Sequence, residues 1–151
     1  MPGSRAIETV VIQEFPVLTF ALLKIAVPLA FVPAHSTLHE TVALLKLVRI
    51  TTLFASERMY PHALAAAKEI GFPEKKIFIL QGEVKGKVSL PRLIDDVKAR
   101  GLPRVPTQPV GDETLAYLVF SSGTTGLPKG HLYFYSRPWR VVLKLEQIQL
   151  S

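Results

Sequence analysis

Ser121-Ser122-Gly123-Thr124-Thr125-Gly126-Leu127-Pro128-Lys129-Gly130 is the stretch of this 151-residue chain best equipped for chemistry. Hydroxyls, glycines and one lysine follow directly on an apolar run from Leu115 to Phe120. Gly123 and Gly126 let the backbone approach an anion closely and take up positive φ. Successive N–H groups can then curve into an anion-binding nest. Ser121, Ser122, Thr124 and Thr125 add side-chain donors, and Lys129 adds a positive charge. Pro128 restricts the backbone just before that lysine. The chemistry these residue types suit is a grip on phosphate. The spacing is not a Walker A loop, because Gly123 to Lys129 does not place four residues between a glycine and Gly-Lys-Ser/Thr. An exposed Gly/Ser turn with an incidental lysine is the plain alternative.

Such a loop needs a scaffold, and the rest of the chain supplies one. Leu115–Phe120 suits a buried strand that delivers the loop at its exit. Upstream, strands are expected at 9–12, 29–32, 51–55 and 76–80. Helices are expected at 17–26, from a capping box formed by Thr37 and Glu40, and at 61–70 with Gly71 as C-cap. A further helix runs from Ser89 to Gly101 with Leu90, Leu93, Ile94 and Val97 facing inward. Residues 1–8 read as poorly tied down, and Pro103, Pro106, Pro109 and Gly111 as a linker. The alternation predicts an α/β fold, a partial doubly wound parallel sheet with flanking helices.

The run from Pro16 to Phe31 is nearly continuous hydrophobe and invites a transmembrane reading. Against it, Lys24 sits mid-run, Pro28 interrupts any helix, and the unbroken apolar length falls short of about 18 residues. A lysine in the apolar core of the segment also argues against a signal peptide. A buried helix followed by a strand is the preferred reading.

Residues 121–130 resemble, without a break, the phosphate-binding signature of the acyl-adenylate-forming (AMP-binding) enzymes, Ser/Thr-Ser-Gly-Thr-Thr-Gly-x-Pro-Lys-Gly. The likeness is to the acyl-CoA synthetase and 4-coumarate–CoA ligase branch. Leu23-Lys24-Ile25-Ala26-Val27-Pro28-Leu29-Ala30-Phe31-Val32-Pro33 is similar to an earlier segment of that family, Leu-Lys-Ala-Gly-x-x-Tyr-Val-Pro, with Ala26 near the place of its glycine. The resemblance implies a piece of the family's N-terminal adenylation domain over residues 1–130, ending at the phosphate loop. Residues 131–151 then form a divergent aromatic-basic tail, and His131, which follows Gly130 directly, is given no role.

The resemblance implies ATP as ligand through Ser121, Ser122, Gly123, Thr124, Thr125, Gly126, Lys129 and Gly130, with Mg2+ accompanying it. Coenzyme A and a carboxylic acid are the other substrates of full-length relatives. The family's Tyr-Gly-x-Thr-Glu segment, its Thr-Gly-Asp for the ribose and its C-terminal lysine have no counterpart here. No residue is therefore assigned to catalysis. The expectation is an N-terminal fragment of an acid–CoA ligase, not catalytically complete by itself. The alternative is a non-catalytic membrane-associated or interaction protein using residues 17–32 and the tail. A retained polyphosphate-binding module is a third reading.

Composition narrows the classes further. A mean hydropathy of +0.29 is high for a small soluble domain. It suits a piece of a larger core or a membrane-associated chain. The absence of cysteine excludes disulfides, thiolate metal sites and a cysteine nucleophile. A net charge of +6 without a patch or recognised module argues against nucleic acid. His35 and His39 stand four apart, but His35 precedes the helix cap and no third ligand is nearby, so no metal site is expected. His62 reads as a surface residue. Asp95 and Asp96 are adjacent and diverge on a helix, as on a solvated face. Gln149-Leu150-Ser151 is not a peroxisomal address, and a cytoplasmic location is favoured.

Overall fold

Each apolar strand segment is followed by a helical one, and the chain resolves this alternation as one sheet with helices on both faces. The computed structural model describes residues 5–9, 14–121 and 129–135. Six strands, β1 (Arg5–Thr9), β2 (Leu29–Pro33), β3 (Thr52–Ala55), β4 (Ile77–Ile79), β5 (Leu115–Ser121) and β6 (Lys129–Phe134), lie in the order β4-β3-β1-β2-β5-β6. The first five are mutually parallel, and β6 returns antiparallel beside β5. The helices are α1 (Glu14–Lys24), α2 (Leu38–Val48), α3 (Tyr60–Glu69) and α4 (Leu90–Ala99).

Parallel strands covered on both faces carry apolar side chains in both directions, and this sheet divides them strictly. Ala30, Val32, Leu53, Ala55, Ile77, Leu118, Phe120 and Leu132 face α2 and α3, where they meet Leu44, Leu45, Ala63 and Ala66. Leu29, Phe54 and Leu80 point the other way, onto Leu18 and Leu22 of α1 and Leu90 of α4. Removing one such leucine or isoleucine side chain from water contributes about 1.5–3 kcal/mol.

Several local expectations are met for the reasons that suggested them. Thr37 caps α2: its hydroxyl accepts from the Glu40 N–H, and its own N–H donates to the Glu40 carboxylate at 2.7 Å. Gly71 ends α3 in the left-handed conformation (φ 67°), and Gly101 does the same for α4 (φ 58°). At the end of α1 the glycine of the resembled segment is missing, yet the same turn forms. Val27 N–H reaches the Leu22 carbonyl at 3.0 Å and Ala26 N–H reaches that of Leu23 at 3.1 Å. Ala26 itself takes φ 54°. A left-handed alanine costs about 1–2 kcal/mol, and the paired bonds of this cap, with the burial of β2 directly after it, hold it there. The run 17–32 is thereby divided between a helix and a strand. Among the described residues no helix is long and apolar enough to cross a membrane.

Other expectations are corrected. The first strand is Arg5–Thr9, not 9–12; it pairs on both sides, with β2 and β3, at the centre of the sheet. Two ladders of backbone hydrogen bonds, which hydropathy does not register, make this segment a strand. Residues 10–12 lie outside the described residues. α1 begins at Glu14 rather than at 17, with an acidic residue in its first turn where the helix dipole favours it. Val97 does not face inward: it is 45% exposed, and Leu90 is the one buried residue of α4. β6 runs through position 130, so His131–Phe134 belong to the sheet.

Candidate functional site

β1 to β5 run the same way, so their carboxyl ends share one edge of the sheet. Open α/β sheets bind ligands outside that edge, where the strand exits gather. The phosphate-type loop leaves β5 there. Ser121 is the last residue of β5 and pairs with Lys129, the first of β6. The two therefore form the base pair of a hairpin whose connection is residues 122–128. Ser122, Gly123, Thr124, Thr125 and Gly126 lie outside the described residues. Of the candidate residues the structure brings Ser121, Lys129 and Gly130 together at the mouth of this hairpin.

Gly130 is required there for a local reason. It pairs with Phe120 across the hairpin, and a Cβ at position 130 would stand 3.2 Å from Cε1 of the Phe120 ring. Phe120 is buried in the core beneath α2 and α3, so its ring has little room to give way. Glycine lets the two backbones stay in register and holds Lys129 opposite Ser121.

The pairing of β2 with β5 brings the β2 exit to the same edge, where Ser36 N–H closes a turn onto the Pro33 carbonyl before α2 begins. The Thr37 and Glu40 amides at the start of α2 are engaged in its cap. The Thr37 backbone N–H and then its hydroxyl hold the Glu40 carboxyl below the usual carboxylate value. His35 and His39 are both exposed and lie to either side of this cap. Among the described residues no group of three or more histidine, aspartate or glutamate side chains is placed to hold a metal ion.

On the α1 face the hairpin carries an aromatic row. Tyr117 stacks on Tyr133 with ring centroids 4.5 Å apart, and Phe31 continues the row to Phe15. Burial pushes the Tyr117 phenol up, with Tyr133 adding to the effect. β6 was missed from sequence, although it carries a readable signal. Gly130, Leu132 and Phe134 alternate with His131, Tyr133 and Tyr135, a period-two pattern that belongs to a strand. His62, read as a surface residue, is half-buried, and its Nε2 lies 2.9 Å from the hydroxyl of the fully buried Thr41.

Comparison with known proteins agrees with this geometry. The model of the family described as AMP-binding enzyme matches residues 11–134. A carboxylic acid reductase from Segniliparus rugosus is 45% identical over 53 residues, which is 32% of this chain and 4% of that protein. Among solved structures, a red-emitting luciferase from Phrixothrix hirtus superposes with a TM-score of 0.75 at 22% identity, over 87% of this chain and 26% of its own. The anthranilate CoA ligase AuaEII, solved with anthranoyl-AMP, gives 0.73 at 21% identity, over 87% and 25%. At these identities the superpositions show a shared fold. The chain spans about a quarter of the length of these solved structures.

Proposed function

This chain belongs to the AMP-binding enzyme family, and from that premise we propose that it is the phosphate-gripping part of an ATP-dependent acid–CoA ligase. The observation that carries the reading is the hairpin base. A Ser/Thr/Gly loop with one lysine leaves the carboxyl edge of a parallel sheet between Ser121 and Lys129. Backbone N–H groups of residues 122–126, the hydroxyls of Ser121, Ser122, Thr124 and Thr125, and the Lys129 ammonium hold the β- and γ-phosphates. Charge-assisted hydrogen bonds of this kind are about twice as strong as neutral ones.

In the reaction a carboxylate attacks the α-phosphorus of ATP. The bond from that phosphorus to its bridging oxygen breaks, and acyl-adenylate and pyrophosphate result. A thiol then attacks the acyl carbon and AMP departs. The role of this chain's residues lies in the first step: they fix the departing pyrophosphate and neutralise the charge that builds on it. Mg2+ enters as the companion of the triphosphate, which suits a cation that keeps most of its ligands as water and phosphate. No residue of this chain is assigned to Mg2+, to coenzyme A or to the acid. No residue of this chain is assigned to adenine or ribose recognition either, and on this reading adenylation is not completed by these residues alone.

The test is titration of the 151-residue chain with pyrophosphate and with ATP. Binding is expected to weaken about tenfold or more in Lys129→Ala, the loss of one charge-assisted contact. A folded wild-type chain that binds neither, or binds both equally well without Lys129, overturns the reading. Carboxylate-dependent exchange of pyrophosphate into ATP is expected to be absent. If it occurs and Lys129→Ala abolishes it, the incompleteness part fails while the phosphate assignment stands.

A further inference from the structure

The two edges of the sheet are finished differently. At one edge β4 has three residues, and its outer side is covered: Ile79 N–H donates to the Val88 carbonyl at 2.9 Å, and the same residue bridges to Ser89. At the other edge β6 has six residues and no proline, and among the described residues it is paired on one side only, with β5. The N–H and C=O groups of a strand alternate between its two sides. Such an edge therefore carries a row of donors and acceptors that an added strand can take up. The edge is also firmly held. Tyr135, directly after β6, donates its N–H to the Thr114 carbonyl at 2.9 Å and its phenol O–H to the Leu23 carbonyl at 2.6 Å.

We propose that β6 pairs antiparallel with the β6 of a second copy of this chain, joining the two sheets across a two-fold axis. Closure follows from the contrast between the edges: with one open edge per chain, the pairing stops at a dimer and does not run on into a filament. The register is set by the pleat. A two-fold axis normal to the sheet keeps each face with its like, so residues of one face meet residues of the same face. Leu132 and Phe134 belong to the α2/α3 side, and Tyr133 to the other, where it stacks on Tyr117. An axis through Leu132 matches every position from 129 to 135. It sets Gly130 opposite Phe134, whose ring covers the place that a glycine leaves empty, and His131 opposite Tyr133. An axis through His131 sets two histidines against each other and leaves Phe134 without a counterpart. Charge agrees with the first register. The position of Lys129 in one copy falls opposite Tyr135 of the other, and Tyr135 is bonded to Thr114, next in the chain to Glu113 and Asp112. Two strands of this length make a small interface, so the association belongs to the micromolar range.

Sedimentation equilibrium of the full-length chain, without nucleotide, reads the dimer. A monomer–dimer equilibrium is expected as the concentration rises through the micromolar range. The double variant His131→Lys, Tyr133→Lys sets like charges opposite each other at two symmetry-related places. It is expected to raise the dissociation constant about tenfold or more. His131→Lys, Tyr133→Glu sets opposite charges there and is expected to associate at least as well as wild type. Both variants lose the Tyr117–Tyr133 stack, so a difference between them does not come from the folding of the hairpin. The chain has no cysteine, and a single introduced thiol reports the register independently. Mild oxidation is expected to link two copies of Leu132→Cys, whose backbones lie within disulfide reach on the axis, and not two copies of His131→Cys. A folded wild-type chain that stays monomeric overturns the proposal. A dimer indifferent to the charges at 131 and 133 places the contact elsewhere and overturns it too. So does an assembly that keeps growing with concentration, or a dimer linked through His131→Cys alone. No phosphate ligand enters these measurements, so their outcome is separate from that of the pyrophosphate titration.

Discussion

The two faces of the sheet are finished to different degrees. Among the described residues, fifteen buried side chains form the core beneath α2 and α3, against six beneath α1 and α4. Alanines at 63, 66 and 67 bring α3 close to the strands, and Leu44, Leu45 and Leu53 fill the space between with almost no exposure. On the other face α1 turns Phe20 (70% exposed) and Val17 (55%) outward. The contrast separates what holds this chain together from what it merely carries. The α2/α3 face is a closed core, whereas the outer surface of α1 contributes little to the stability of the chain itself.

Substitutions can break or sharpen that contrast. The largest effect belongs to the closed face: Leu53→Ala removes a fully buried leucine at the contact of β3 with α2 and α3. It is expected to destabilise by about 2–5 kcal/mol in chemical denaturation. A loss under about 1 kcal/mol would mean that this core is not close-packed. Next comes Gly130→Ala, also on the closed face, where the added methyl meets the Phe120 ring. Overpacking of this kind costs about 1–3 kcal/mol. The same change is expected to weaken pyrophosphate binding, because Lys129 shifts with the strand. Unaltered stability would show that Phe120 has room to move.

On the open face the sign reverses. Ala26→Gly relieves the left-handed alanine at the end of α1 and is expected to stabilise by about 1 kcal/mol, read as a raised denaturation midpoint. Back on the closed face, Thr37→Ala removes the hydroxyl that caps α2 and is expected to cost about 1 kcal/mol. It also alters the response to acid. The Thr37 N–H and hydroxyl hold the Glu40 carboxyl below its ordinary 4.5. Lys87, with Tyr60, does the same for Glu74, with Lys87 Nζ 2.7 Å from Glu74 Oε1. A folded-state value below the unfolded one adds stability that is present above about pH 4.5 and lost as the pH falls through the lowered value. Unfolding free energy measured from neutral pH down to about pH 3 is therefore expected to fall less steeply in Thr37→Ala and in Lys87→Met than in wild type. A parallel shift without a change of slope would assign the acid response elsewhere. The smallest effect is Phe20→Ser on α1, expected within about 0.5 kcal/mol of wild type. A large loss there would show that the open face is covered after all.

Much of the scaffold was legible because the signals were local. The Thr37–Glu40 box and the left-handed glycines at 71 and 101 are decided within a few residues of chain. The strand cores at 53–55 and 77–79 announce themselves as short apolar runs between turn residues. β1 was displaced by several residues because its partners, β2 and β3, lie tens of residues away. β6 was hidden because aromatic and basic residues near it suggested a tail, although the two-residue alternation was present. For the site, residue types were legible and arrangement was not. Ser121 and Lys129 stand eight apart in sequence, and only the hairpin makes them neighbours.

Sequence alone determined the composition of the phosphate loop, the family to which the chain belongs, and the helix ends at Thr37, Gly71 and Gly101, since each depends on residue types at fixed short spacing. Tertiary structure decided the order β4-β3-β1-β2-β5-β6, which face each helix covers, the left-handed turn at Ala26, and the return of β6 beside β5. The reason is physical: parallel strands are joined by backbone hydrogen bonds between segments far apart in the chain. Backbone amides and carbonyls are the same at every residue but proline, so partner choice is settled by packing over the whole sheet.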